Sequence, residues 1–136
     1  MSRGVGRRYF TLAQAAGALP EVEALVGTLS ESREAIRALA ARTGSDSFAR
    51  RAEAEFLGRQ VRECAERLTA LGVEVKDLDP VLVDFPALED GREIYLCWRE
   101  GESRISYWHE LDTGYAGRRS VTELSPEALG GAVLVS

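Results

Sequence analysis

His109 is the only histidine in the chain, with Glu110 beside it and Asp112 three residues on. An imidazole near carboxylates can act as a general acid or base, or give a single metal ligand; a hydrogen-bonded structural histidine is the plainer alternative. Gly114-Tyr115-Ala116-Gly117-Arg118-Arg119 gathers two glycines and two guanidinium groups, so loop N–H groups and Arg118 can face an anion. The glycine spacing is neither a Walker nor a dinucleotide fingerprint, and a plain turn feeding a last extended segment is the simpler reading. Arg99 and Arg104 can join that polar surface or form surface ion pairs worth under about 1 kcal/mol. Trp98, Tyr107 and Trp108 crowd one short segment; Trp98 belongs to the core, whereas Tyr95 and Trp108 can be core or ligand-stacking rings.

The other chemistry-bearing residues narrow the field. Cys64 and Cys97 have no second Cys or His at ligand spacing, so they read as reduced core thiols of a cytosolic protein. One histidine without clustered thiols cannot close a four-ligand zinc site, and Asp84, Glu102, Glu110 and Asp112 lack EF-hand spacing, so no metal or other cofactor is expected. Acidic residues outnumber basic ones 22 to 17, a net charge of −5 that disfavours nucleic acid as the main partner. No apolar run approaches the roughly 18 residues of a membrane span, and no secretory leader is visible.

The elements that position these residues follow from periodicity. The chain's 136 residues, 45% hydrophobic and 29% charged, fit one domain. We divide it into a flexible 1–8, a helical half 9–72, a β half 73–124 and a C-terminal tail 125–136. Thr11 and Gln14 form a capping box for a short helix over Leu12–Ala18, and Pro20 suits the first position of a second helix. Val22, Leu25, Leu29, Ile36 and Leu39 make an apolar stripe to about Arg42, interrupted by Ser32. Gly44, Ser45 and Asp46 end that helix and start another, where Leu57, Val61, Cys64, Leu68 and Leu71 recur before Gly72. Arms on the order of 35 Å long with heptad-like spacing predict a coiled-coil hairpin able to form a homodimer.

Past Gly72 the period falls from 3.6 to 2. Strands are predicted around Val81–Phe85, Ile94–Trp98 and Ile105–Trp108, with turns at Asp90-Gly91 and Glu100-Gly101. Pairing about those turns sets Asp84 opposite Cys97 and Cys97 near Arg104. Val83, Phe85, Ile94, Leu96, Trp98, Ile105 and Tyr107 then face the core, Trp108 faces away, and His109 sits at the edge of the apolar face. The predicted fold is α+β: a long antiparallel helical hairpin, preceded by a short helix, packed with a three-stranded antiparallel β-meander.

An ordered series of motifs adds a second kind of evidence: Tyr9-Phe10-Thr11-Leu12, Leu19-Pro20-Glu21-Val22, Val75-Lys76-Asp77-Leu78-Asp79, Leu82-Val83-Asp84-Phe85-Pro86-Ala87, Asp90-Gly91-Arg92, Leu96-Cys97-Trp98-Arg99-Glu100-Gly101-Glu102, Tyr107-Trp108-His109 and Gly114-Tyr115-Ala116-Gly117-Arg118. It resembles an uncharacterised bacterial and archaeal family, domain of unknown function 2203, in which Phe is usual where Tyr115 stands. The resemblance implies one cytosolic domain with its signature on the β half, and points to no particular activity. Two functions are therefore carried forward. The first is a non-catalytic cytosolic binding or assembly module, with a small anionic ligand or protein partner held around Arg99, Trp108, His109, Glu110 and Arg118. The alternative is a small enzyme for an anionic substrate, with His109 as acid or base, Glu110 or Asp112 orienting it and Arg118 holding the anion.

Overall fold

A computed structural model describes residues 7–42 and 47–134. The expected link at Gly44, Ser45 and Asp46, and most of the segment expected to be flexible, lie outside the described residues. Two helices come first, α1 (Leu12–Ala41) and α2 (Ser47–Leu71). Strands β1 (Glu74–Leu78), β2 (Val81–Glu89), β3 (Arg92–Arg99), β4 (Tyr107–Glu110) and β5 (Arg119–Ser120) follow, and then the short helix α3 (Pro126–Leu129). The strands form one antiparallel sheet in the order β1-β2-β3-β4-β5.

The capping box forms as expected: the Gln14 N–H donates to Thr11 Oγ1, and the Thr11 N–H to Gln14 Oε1. The expected break at Pro20 does not occur, and the short first helix and the long one are a single element. Pro20 removes one N–H from the ladder, a cost of about 3 kcal/mol in a helix interior. Leu12, Ala15, Leu19, Val22, Val26 and Leu29 nevertheless fall on uninterrupted steps of three and four, so one buried stripe runs through the proline and outweighs it. Ser32, the polar interruption, is buried and donates to Gln60 Oε1 on α2 at 2.9 Å. The pairs Glu21–Arg67, Ser32–Gln60 and Arg42–Glu53 run in opposite order along the two helices, which therefore pack antiparallel.

The sheet has five strands, not three. β1 and β5 escape periodicity because β1 is mostly charged and half-exposed and β5 has two residues. Asp90 and Gly91, at φ 51° and 79°, make the expected two-residue turn, and Asp84 pairs with Cys97 as expected. The third strand is displaced. A seven-residue connection, 100–106, replaces the tight turn at Glu100-Gly101, and Cys97 pairs with Tyr107 instead of lying near Arg104. That shift of three is odd, so every side chain of β4 changes face relative to the expectation. Trp108 turns into the core, 3% exposed, with its indole N–H donating to Ser120 O; Tyr107 turns outward.

The core face carries Val81, Val83, Phe85, Ala87, Ile94, Leu96, Trp98 and Trp108 against the buried stripe of α1, with Cys64 and Leu68 from α2. Phe10 packs edge-on against Phe85, and its N–H donates to Pro86 O along the stretch of β2 that β1 does not reach. Arg7 and Arg8, expected to be flexible, are tied down, Arg7 to Glu74 and Arg8 over the Phe10 ring. The expected tail forms α3, whose Ala128 is buried and whose Glu127 accepts from the Gly91 N–H. Gly130, at φ 62°, ends α3 so close to Thr11 that a Cβ there would sit 2.3 Å from that side chain.

Candidate functional site

The face of the sheet turned away from the helices holds the site. Period-2 alternation sets Asp84 and Pro86 of β2, Tyr95 and Cys97 of β3, and Tyr107 and His109 of β4 on that side. On β1 the register slips between Val75 and Asp77, and Lys76, two residues on from Glu74, lies on the same face. Its ammonium donates to Asp84 Oδ2 at 3.2 Å and lies 3.9 Å from the centre of the Tyr95 ring. The Tyr95 hydroxyl donates to Glu74 and accepts from Arg7.

His109 is 2% exposed and bonded at both nitrogens. Nδ1 lies 2.6 Å from the Glu110 carbonyl oxygen, and Nε2 lies 3.2 and 3.1 Å from the two oxygens of Asp84. Burial pulls the imidazole pKa down, but hydrogen bonds to Asp84, Cys97 and the Glu110 carbonyl, with the charge of Asp84, override it and push it up to about 10. Burial likewise opposes the charge on Lys76, and Asp84 again prevails and raises its pKa. One carboxylate thus faces two cations, and Cys97 lies against them: Asp84, Cys97 and His109 each offer a ligand atom within 4.8 Å of the others, all buried.

The glycine-arginine loop makes a second cluster at the rim. Arg118 donates from Nη1 to Glu102 Oε2 and from Nη2 to Glu102 Oε1, each at 2.7 Å, and from Nη2 to Cys97 O at 3.1 Å. Its guanidinium lies between the rings of Tyr107 and Tyr115, 4.3 and 4.6 Å from their centres. Burial would raise the Glu102 pKa, but the Arg118 hydrogen bonds, the Arg99 N–H and both guanidinium charges hold it below the ordinary carboxylate value. Arg99 reaches the Tyr115 hydroxyl with Nη1 at 3.4 Å.

Five residues were expected to share a ligand site, and the structure divides them. Arg99 and Arg118 meet at the rim; His109 lies beneath the polar face; Trp108 is on the core side, so its expected exposure is corrected. The carboxylate of Glu110 turns to Arg92. Asp84, not Glu110 or Asp112, orients His109, and Asp112 is exposed. Asp84 and Lys76 were missing from the expected set. The one sequence signal for Asp84 was an acidic residue in the apolar run Val81–Phe85, a position where a buried charge needs a partner.

A family model described as an uncharacterised conserved protein, DUF2203, matches residues 8–121. No curated protein and no solved structure matches the chain.

Proposed function

The chain belongs to the DUF2203 family of uncharacterised conserved proteins, and from the geometry of this member we propose a non-catalytic assembly module that pairs with a second copy of itself through the helices. The observation that carries this reading is an uncovered helical arm. Arg33 donates to Leu78 O and Arg37 to Asp79, both at the β1–β2 turn, and beyond them α1 buries only Leu39. Among its described residues α2 buries only Cys64 and Leu68, near its C-terminal end. At about 1.5 Å per residue the two helices are about 45 and 37 Å long, against about 30 Å for the longest strand. An apolar groove lined by Ile36, Leu39, Ala40 and Ala54 opens between the helices, and Phe48 and Phe56 are 77% and 50% exposed.

Charge favours a second copy as the occupant. Residues 33–62 carry seven arginines against four acidic residues, a net +3, so the remainder of the chain carries −8 of the overall −5. A basic arm and an acidic body attract each other between copies, and a two-fold arrangement makes that contact reciprocal. A homodimer in which each helical arm lies against the body of the other copy is the expected assembly. The enzymatic alternative finds less support. His109 offers no free nitrogen to a substrate, and the charge of Arg118 is already matched by Glu102, which also weakens an anion-holding role.

Light scattering tests the proposal. A dimer mass at tens of micromolar is expected, lowered to a monomer mass by Phe48→Asp with Phe56→Asp and weakened by salt. A monomer mass for the unaltered protein overturns it.

A further inference from the structure

Independently of the assembly reading, we propose that Asp84, Cys97 and His109 form a buried binding site for one divalent transition-metal ion of the zinc type, with a water molecule as the fourth ligand. The donors are a carboxylate, a thiolate and an imidazole, a borderline-soft set suited to zinc and unsuited to calcium or magnesium. No metal was expected of this chain, because one histidine without clustered thiols cannot close a four-ligand cage; the proposed site departs from that expectation, since three protein ligands and a solvent molecule make the other common zinc geometry.

Distance and support agree with this. Bonds of about 2.0–2.3 Å at tetrahedral angles set ligand atoms roughly 3.3–3.8 Å apart. The Nε2 of His109 lies 3.1 and 3.2 Å from the Asp84 oxygens, and the whole triad lies within 4.8 Å, so shifts of about an ångström close it around an ion. The three residues stand on β2, β3 and β4, adjacent hydrogen-bonded strands, which hold them rigidly. The outer contacts are those of a metal site. His109 Nδ1 meets the Glu110 carbonyl at 2.6 Å, which fixes Nε2 as the nitrogen that faces the other two ligands, and Lys76 donates to Asp84. An entering divalent ion displaces the proton on Nε2 and the thiol proton of Cys97. Two protons pass to solvent for each ion bound, and the charge of the cluster is unchanged.

The test uses the full chain, stripped with a chelator and titrated with cobalt(II) and then zinc(II). One equivalent of cobalt should bind with a thiolate-to-metal charge-transfer band and the strong visible absorption of a four-coordinate ion, and zinc should displace it. Cys97→Ser should abolish the charge-transfer band, while Cys64→Ser, which alters the other thiol, should retain it. X-ray absorption on the zinc-loaded unaltered protein needs no variant to fold, and should count one sulfur with nitrogen and oxygen neighbours. Failure of the folded protein to bind stoichiometric metal, a metal shell without sulfur, or a band lost with Cys64 and kept without Cys97 overturns the proposal.

Discussion

Glu102→Gln keeps the shape of the side chain and removes the charge opposite Arg118. The guanidinium it leaves is 11% exposed, already has an Nε without a partner, and keeps only Cys97 O and whatever Gln can offer. Breaking a buried ion pair from one side costs about 3–5 kcal/mol. The retained amide oxygen can hold one of the two Arg118 bonds, and a hydrogen bond to a charged group is worth about 1.5–3 kcal/mol. The net expectation is a loss of about 2 kcal/mol at neutral pH. Acid supplies an internal control. The depressed pKa of folded Glu102 means that the unfolded chain takes up its proton first as the pH falls. The stabilisation is therefore complete above the ordinary glutamate pKa and is lost as the pH drops through the folded value. The gap between the two proteins should narrow under acid, because the variant has no such group to lose. Urea denaturation followed by tryptophan fluorescence, to which the buried Trp98 and Trp108 both contribute, gives both numbers. An Arg118 kept free for an anion would make the substitution neutral; a loss under about 0.5 kcal/mol, or a gap that stays constant under acid, refutes the structural account.

The remaining expectations are shorter. Leu29→Ala and Leu68→Ala, both at fully buried positions, should each cost about 2–5 kcal/mol in chemical denaturation, and no change in either would remove the α1–α2–sheet core. Trp108→Ala should cost about 3–5 kcal/mol, whereas a ring exposed for stacking would be lost without a change in melting temperature. Pro20→Ala restores an N–H in the middle of α1 and should raise the melting temperature despite the more flexible unfolded chain; a lower value would mean that the proline supports the helix.

The legible parts of this fold were those in which neighbouring residues decide the outcome. Thr11 and Gln14, Asp90 and Gly91, and the stripe from Val22 to Leu39 are local patterns: the first pair marked the start of α1, the second the turn between β2 and β3, and the stripe the helical character of the rest of α1, though not its continuity through Pro20. The pairing of Asp84 with Cys97 followed from the tight turn between their strands. Where a longer connection intervenes, local pattern stops being sufficient. Tyr107 and Trp108 are both large aromatics, so alternation fits either register, and only the course of 100–106 decides which ring enters the core. His109 was recognised as chemically important, but its partner Asp84 is 25 residues away on a strand two positions across the sheet. Lys76 was missed because β1, mostly charged and half-exposed, carries no strand periodicity. Pro20 was misjudged because its local penalty was weighed without the apolar stripe that continues beyond it.

The two outer strands have a consequence for association. β1 is one border of the sheet, charged at Glu74, Lys76 and Asp77 and bent by its bulge; β5, the other border, has two residues, and Arg119 is one of them. Bulges, charges and brevity are the features that keep a sheet from adding strands from another molecule. Growth edge to edge, the route to fibrils and runaway aggregates, is thus obstructed on both sides. A second copy that approaches either border meets charge, a bulge or too few residues to pair with.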